Sequence, residues 1–128
     1  MSVLVRTVSP MARRHHTFDY IELAAPDLAA AKSFYADAFG WTFTDYGPDY
    51  TGIHRPGGDG EMGGLNPARP AGAGLPLVVL YSDDLDATVE AVRGAGGDVT
   101  EGPYEFPGGR RFHFADPAGN ELAVWTQA

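Results

Sequence analysis

Apolar and polar residues alternate through residues 17–23, with Ile21 and Leu23 on one face and Phe18, Tyr20 and Glu22 on the other, which predicts a strand. Pro26-Asp27 then opens a helix. Asp27 is placed to cap it, Leu28, Ala31, Phe34, Tyr35 and Ala38 form its apolar stripe, and Gly40 ends it. Residues 41–46 and 50–55 read as strands joined by Gly47-Pro48-Asp49, and residues 61–66 as a fourth strand rich in glycine. After a Pro/Ala/Gly linker over about 67–76 the same order returns. Residues 77–81 form a strand. Asp84 caps a helix running to about Arg93, with Leu85, Val89 and Val92 inward, and Gly94-Ala-Gly-Gly97 closes it. Residues 98–106 (interrupted at Gly102-Pro103), 110–115 and 120–125 complete the set of strands.

Asp116-Pro-Ala-Gly-Asn120 is the best-defined turn: Asp-Pro starts it, and Gly119-Asn120 can take the positive φ that ends it. Aligning Gly60 with Gly119 puts Ile53 on Phe112, His54 on His113 and Gly64 on Ala123. One βαβββ design is therefore written twice. Module one covers about 17–66 and module two about 77–127, in a single α+β domain over 15–128 behind an N-terminal extension, 1–14. Within Arg13-Arg14-His15-His16, adjacent side chains on a strand would face opposite ways, so the segment reads as a solvated terminus rather than a metal site. Met11 is a second candidate start.

Composition narrows the function. With 128 residues and 44% hydrophobic content the chain can bury a real core. It has no cysteine, hence neither disulfides nor thiolate metal sites. A net charge of −8 argues against nucleic acid as a partner. No apolar run is long enough to span a bilayer, and the first residues lack the pattern of a secretory signal, so a soluble cytoplasmic protein is expected.

The run Tyr20-Ile-Glu-Leu-Ala-Ala-Pro-Asp-Leu-Ala-Ala-Ala-Lys-Ser-Phe-Tyr-Ala-Asp-Ala-Phe-Gly-Trp41 resembles the opening of vicinal oxygen chelate proteins (the glyoxalase, bleomycin-resistance and dioxygenase superfamily). Asp116-Pro-Ala-Gly-Asn-Glu-Leu resembles their closing signature, and Phe-Gly-Trp with Met62-Gly-Gly-Leu65 looks most like the small bacterial glyoxalase-like branch. The resemblance implies paired modules curled around a shared cleft, and a homodimer. In metal-dependent members it further implies a His or Glu ligand on the first and last strand of each module. Those positions hold Tyr20, Gly64, Leu77 and Ala123 here, and a slip of one residue gives Ile21, Leu65, Val78 and Val124. No metal centre of the family type and no cofactor is expected, which removes glyoxalase I and extradiol dioxygenase chemistry.

Period-two counting from those positions assigns Phe18, Tyr20, Glu22, Met62, Gly64, Asn66, Leu77, Val79, Tyr81, Glu121, Ala123 and Trp125 to the cleft face. That is an apolar, aromatic pocket for a small organic ligand, with Tyr20, Tyr81 and Trp125 able to stack on it or simply to pack as core. Glu22 is a general base, a partner for a ligand cation, or a hydrogen-bonded carboxylate at the rim, and Glu121 offers the same choice. His54 and His113 are candidate acid–base groups or structural imidazoles. Arg110-Arg111, beside Gly108-Gly109, could grip a carboxylate, but reads first as the charged flank of a surface hairpin, and Gly57-Gly-Asp-Gly60, with no helix after it, is not a phosphate loop.

The leading expectation is metal-independent binding of a small molecule, as in resistance or sequestration. A metal-free lyase, isomerase or hydrolase-like activity using Glu22 or a histidine is the alternative. A metal enzyme with ligands relocated to Glu22, His54, His113 and Glu121 stands third.

Overall fold

The computed structural model describes residues 13–68 and 76–128. Module one comprises β1 (Phe18–Ala24), α1 (Leu28–Phe39), β2 (Phe43–Asp45), β3 (Thr51–His54) and β4 (Glu61–Asn66). Module two comprises β5 (Leu77–Tyr81), α2 (Leu85–Gly94), β6 (Asp98–Phe106), β7 (Gly109–Ala115) and β8 (Glu121–Gln127). Most of the 67–76 linker and all but the last two residues of the 1–14 extension lie outside the described residues.

Local chemistry sets the ends of these elements. Asp27 Oδ1 accepts from the Ala30 amide at 3.0 Å and Asp84 Oδ1 from the Ala87 amide at 3.1 Å, satisfying amides that a helix start leaves without partners. Gly40 closes α1 in the left-handed region at φ 71°, where a side chain would be strained. The Asp116 carboxylate accepts from the amides of Ala118 and Asn120 and from the Asn120 side chain, which holds the β7–β8 turn in one shape.

The strands of the described residues form one curled sheet of eight, in the order β2-β3-β4-β1-β5-β8-β7-β6. Each module closes on itself through a parallel pair, β1 with β4 and β5 with β8. The modules join within the chain through antiparallel β1 and β5, where Tyr20 faces Val79 and Glu22 faces Leu77. β1 and β4 approach so closely that a Cβ on Gly63 would collide with the Ile21 carbonyl. Behind the sheet, α2 covers Phe112 and Val124 with Leu85 and Val89, while α1 lays Leu28, Ala31 and Tyr35 against Ala25, Ile53 and Leu65. Burying each large apolar side chain contributes about 1.5–3 kcal/mol.

The pairing corrects one expectation of symmetry. Glu22 faces Gly64 and Val79 faces Ala123, so Glu22 corresponds to Val79 and Gly64 to Ala123. Gly52 is opposite Gly64, whereas His113 is opposite Ala123. The counterpart of His113 is therefore Gly52, not His54. The Gly60–Gly119 alignment holds for β4 and β8 but fails for β3 and β7, because module one has the longer hairpin and a bulge between Ile53 and His54.

The His15-His16 pair also departs from expectation. His16 has φ 59°, which breaks the strand alternation and stacks the two rings at 3.7 Å. His16 Nε2 meets Thr88 Oγ1, and His15 Nδ1 accepts from the Asp83 amide, tying this segment to the start of α2.

Candidate functional site

The concave face of the sheet forms an open cleft of about 1050 Å³. Of the residues expected there, Tyr20, Glu22, Asn66, Val79 and Trp125 line it, as does His54. Met62 does not: the bulge that sets His54 opposite Glu61 turns Met62 into the Ile53–Leu65 cluster, and Glu61 lines the cleft instead. Phe18 is 75% exposed, because a register irregularity between Phe18 and Tyr20 breaks the period. Tyr81 is buried edge-to-face against Trp125, with ring centroids 5.2 Å apart. His113 and Glu121 lie outside the lining, with His113 Nδ1 3.5 Å from a Glu121 carboxylate oxygen.

Glu22 is the centre of the floor and is only 2% exposed. A buried carboxylate is stable only when its lone pairs are met. Tyr50 donates to Oε1 at 3.1 Å, Asn66 donates to Oε2 at 2.8 Å, and Arg111 Nη1 stands 3.7 Å from Oε1. The Tyr50 proton is committed to Glu22, so the Tyr20 hydroxyl donates to Tyr50 at 2.7 Å. Burial pushes both tyrosines well above the ordinary phenol range, with the nearby Glu22 charge adding to it, so both stay protonated across neutral pH.

From Arg111 the network continues into module two. Arg111 Nε donates to the Tyr104 hydroxyl at 2.6 Å, and Tyr104 reaches His113 Nε2 at 2.9 Å. With Tyr104 donating, the neutral ring carries its proton on Nδ1, facing Glu121. Burial works against the Arg111 charge, but Glu22 and Tyr104 outweigh it and hold the guanidinium above its usual pKa. One hydrogen-bonded and ion-paired line thus crosses the floor from Tyr20 through Tyr50, Glu22, Arg111 and Tyr104 to His113.

The walls are aromatic and partly fixed. Trp125 Nε1 donates to Asp19 at 2.9 Å, the Arg13 guanidinium lies 4.9 Å from the centre of the indole, and Phe106 packs 6.1 Å away. Tyr46 donates to Glu61. His54 meets Thr42 at Nδ1 and Thr44 at Nε2, at 2.8 and 2.5 Å.

These residues do not fit a metal. Leu77 and Ala123 are fully buried, and a Cβ on Gly64 would run into the Tyr50 and Tyr20 hydroxyls, which fill the place of a ligand there. Among the described residues no three His, Asp or Glu side chains converge as a metal would require. The relocated set is separated as well: His54 is engaged by threonines of β2, and His113 and Glu121 lie outside the cleft lining.

Counting from the first and last strands of each module missed Tyr50, Tyr104 and Arg111, which lie on other strands. Arg111 is 18% exposed and lines the cleft, not a surface hairpin flank; its neighbour Arg110 does turn outward, to Asp86. The signal was present, since Arg111 shares a strand face with His113, as Tyr50 does with His54.

The chain belongs to the Glyoxalase/Bleomycin resistance protein/Dioxygenase superfamily, whose model matches residues 17–124. It is 34% identical to the anthracycline biosynthesis protein DnrV of Streptomyces peucetius, over 84% of this chain and 46% of that protein. The chain thus spans about half the length of that curated relative. Among solved structures it is similar to the Mn(II)-bound glyoxalase from Novosphingobium aromaticivorans, with TM-score 0.68 and 24% identity over 90% of this chain and 40% of that one. It is also similar to methylmalonyl-CoA epimerase from Mycobacterium tuberculosis, with TM-score 0.67 and 15% identity over 93% and 94% of the two chains. At these identities the structural likeness concerns the fold alone. No helix among the described residues is long and apolar enough to cross a membrane.

Proposed function

We propose that this protein binds a small, planar organic molecule in its cleft without a metal ion. The observation that carries the reading is the floor: the Tyr20–Tyr50 pair closes the place of a metal ligand at Gly64, beneath an open cleft walled by Trp125, Phe106 and Tyr104. Flat aromatic walls gain most from a flat aromatic ligand, through apolar burial and offset or edge contacts. The anthracycline biosynthesis role in the name of DnrV supports the same ligand shape.

Binding is favoured over turnover by the state of the candidate bases. Glu22 commits both oxygens to Tyr50 and Asn66, and His54 both ring nitrogens to Thr42 and Thr44. Both are engaged by protein donors or acceptors and Glu22 is only 2% exposed, so neither can take a substrate proton without rearrangement of the floor or wall.

Tryptophan fluorescence offers the test. Trp41 packs behind the sheet with Tyr35, while Trp125 lines the cleft. In a chelator-treated Trp41→Phe chain, naphthalene and anthraquinone probes are expected to quench Trp125 saturably. No saturable quenching by any of them would overturn the reading, and chemical conversion of a bound probe would replace binding with catalysis.

A further inference from the structure

Glu22 suggests a cationic ligand at first sight, but its surroundings reverse the sign. The side chain is 2% exposed, with Tyr50 on one oxygen and Asn66 on the other, so a ligand cation has little access to it. Arg111 is in the opposite condition. Its Nε is bound to Tyr104, while the contact of its terminal nitrogens among the described residues is one approach of 3.7 Å to Glu22, too long for a hydrogen bond. A guanidinium carries five N–H donors in a planar fork, and four of them belong to these terminal nitrogens. Arg111 lines the cleft with its side chain 18% exposed, and a charge-assisted hydrogen bond is strong where water is partly excluded.

We propose that Arg111 is the anion-recognition group of the cleft, taking an ionised oxygen acid (a carboxylate or an acidic phenolate) carried on a planar aromatic body. Tyr104 fixes the guanidinium through Nε, and Glu22 stands 3.7 Å from Nη1 as its counter-charge. The body of the ligand then lies toward Trp125 and Phe106, with Arg13 as a second positive charge beside the indole. The cleft lining also carries Asp19, Asp59 and Glu61, set against Arg13 and Arg55 beside Arg111, so the preference for an anion is local to the guanidinium rather than a property of the whole cleft. The chain's net charge of −8 is a poor guide to the ligand, because exposed charges beyond about 8–10 Å are screened at physiological salt.

This inference rests on the binding reading above, and the experiment separates the two. Three probes of one shape, 2-naphthoate, 2-naphthamide and (2-naphthyl)trimethylammonium, are titrated into the full chain by calorimetry. The expected order is acid tightest, by about tenfold or more over the amide, with the cation weakest. In the charge-neutral double variant Glu22→Gln/Arg111→Gln the acid-to-amide ratio is expected to fall toward one, while in Arg111→Lys, which keeps the charge but loses the planar fork, it is expected to fall only partway, with folding checked by thermal melting. An amide as tight as the acid, a cation tightest of the three, or an acid preference that survives undiminished in the folded double variant overturns the assignment and leaves the aromatic cleft standing. Failure of all three probes to bind overturns both.

Discussion

Tyr50 and Arg111 occupy equivalent places in the two modules, and both address the same oxygen of Glu22. The modules thus contribute one neutral donor and one cation to a single buried carboxylate, whose own counterpart is Val79. The repeat builds a symmetric frame and then breaks the symmetry at the floor.

That asymmetry predicts the cost of breaking the pair. Arg111→Met leaves the buried Glu22 carboxyl group without its counter-charge, with an expected loss of about 2–4 kcal/mol in urea unfolding. Glu22→Gln/Arg111→Gln removes both charges together and is expected to recover much of it. A single Arg111 variant within about 0.5 kcal/mol of the parent would show that the pair does not hold the floor.

The tyrosine pair predicts behaviour in alkali. Both phenols are raised in the folded chain, so the folded state keeps their protons where the unfolded chain, near pH 10, begins to lose them. Their contribution is complete below pH ~10 and is lost as pH rises above it. Unfolding free energy should therefore fall between about pH 9.5 and 11, and the fall should be shallower in Tyr50→Phe. Equal slopes in the two proteins would contradict the buried pair.

At Gly64 the prediction is steric. A methyl group there must displace the Tyr50 or Tyr20 hydroxyl, so Gly64→Ala should cost about 1–3 kcal/mol and weaken probe binding in the cleft. A variant with parent stability and parent affinity would mean that the floor is slack.

The turn signature gives a fourth test. The Asn120 and Ala118 donors hold the Asp116 carboxyl below its usual range. Its contribution is therefore present above the ordinary aspartate pKa and lost as pH falls below it. Asp116→Ala should lower the melting temperature at pH 7 and narrow the gap to the parent in strong acid. An unchanged gap across that range would remove the carboxylate from the turn.

Much of the fold was legible because it is written in local chemistry. Asp27, Asp84, Gly40 and Asp116-Pro-Ala-Gly-Asn120 each fix a helix end or a turn by hydrogen bonds within a few residues. The cleft was legible only on the strands that these landmarks register: Tyr20, Glu22, Asn66 and Trp125 were placed from them. Met62, Phe18 and the supposed match of His54 with His113 failed for one physical reason. A bulge or a longer hairpin shifts a two-residue period without marking the sequence. For Arg111 the sequence left two readings open, since an Arg-Arg pair beside glycines suits a surface hairpin as well as a carboxylate grip, and only the sheet shows that Arg111 lines the cleft while Arg110 turns to Asp86.

The most direct test of the account is calorimetric titration of 2-naphthoate into chelator-treated protein, repeated after adding zinc, nickel or manganese. The account predicts saturable binding to the metal-free chain, with an affinity changed by less than about twofold by any of the metals. Binding that appears only once a metal ion has been taken up would contradict it.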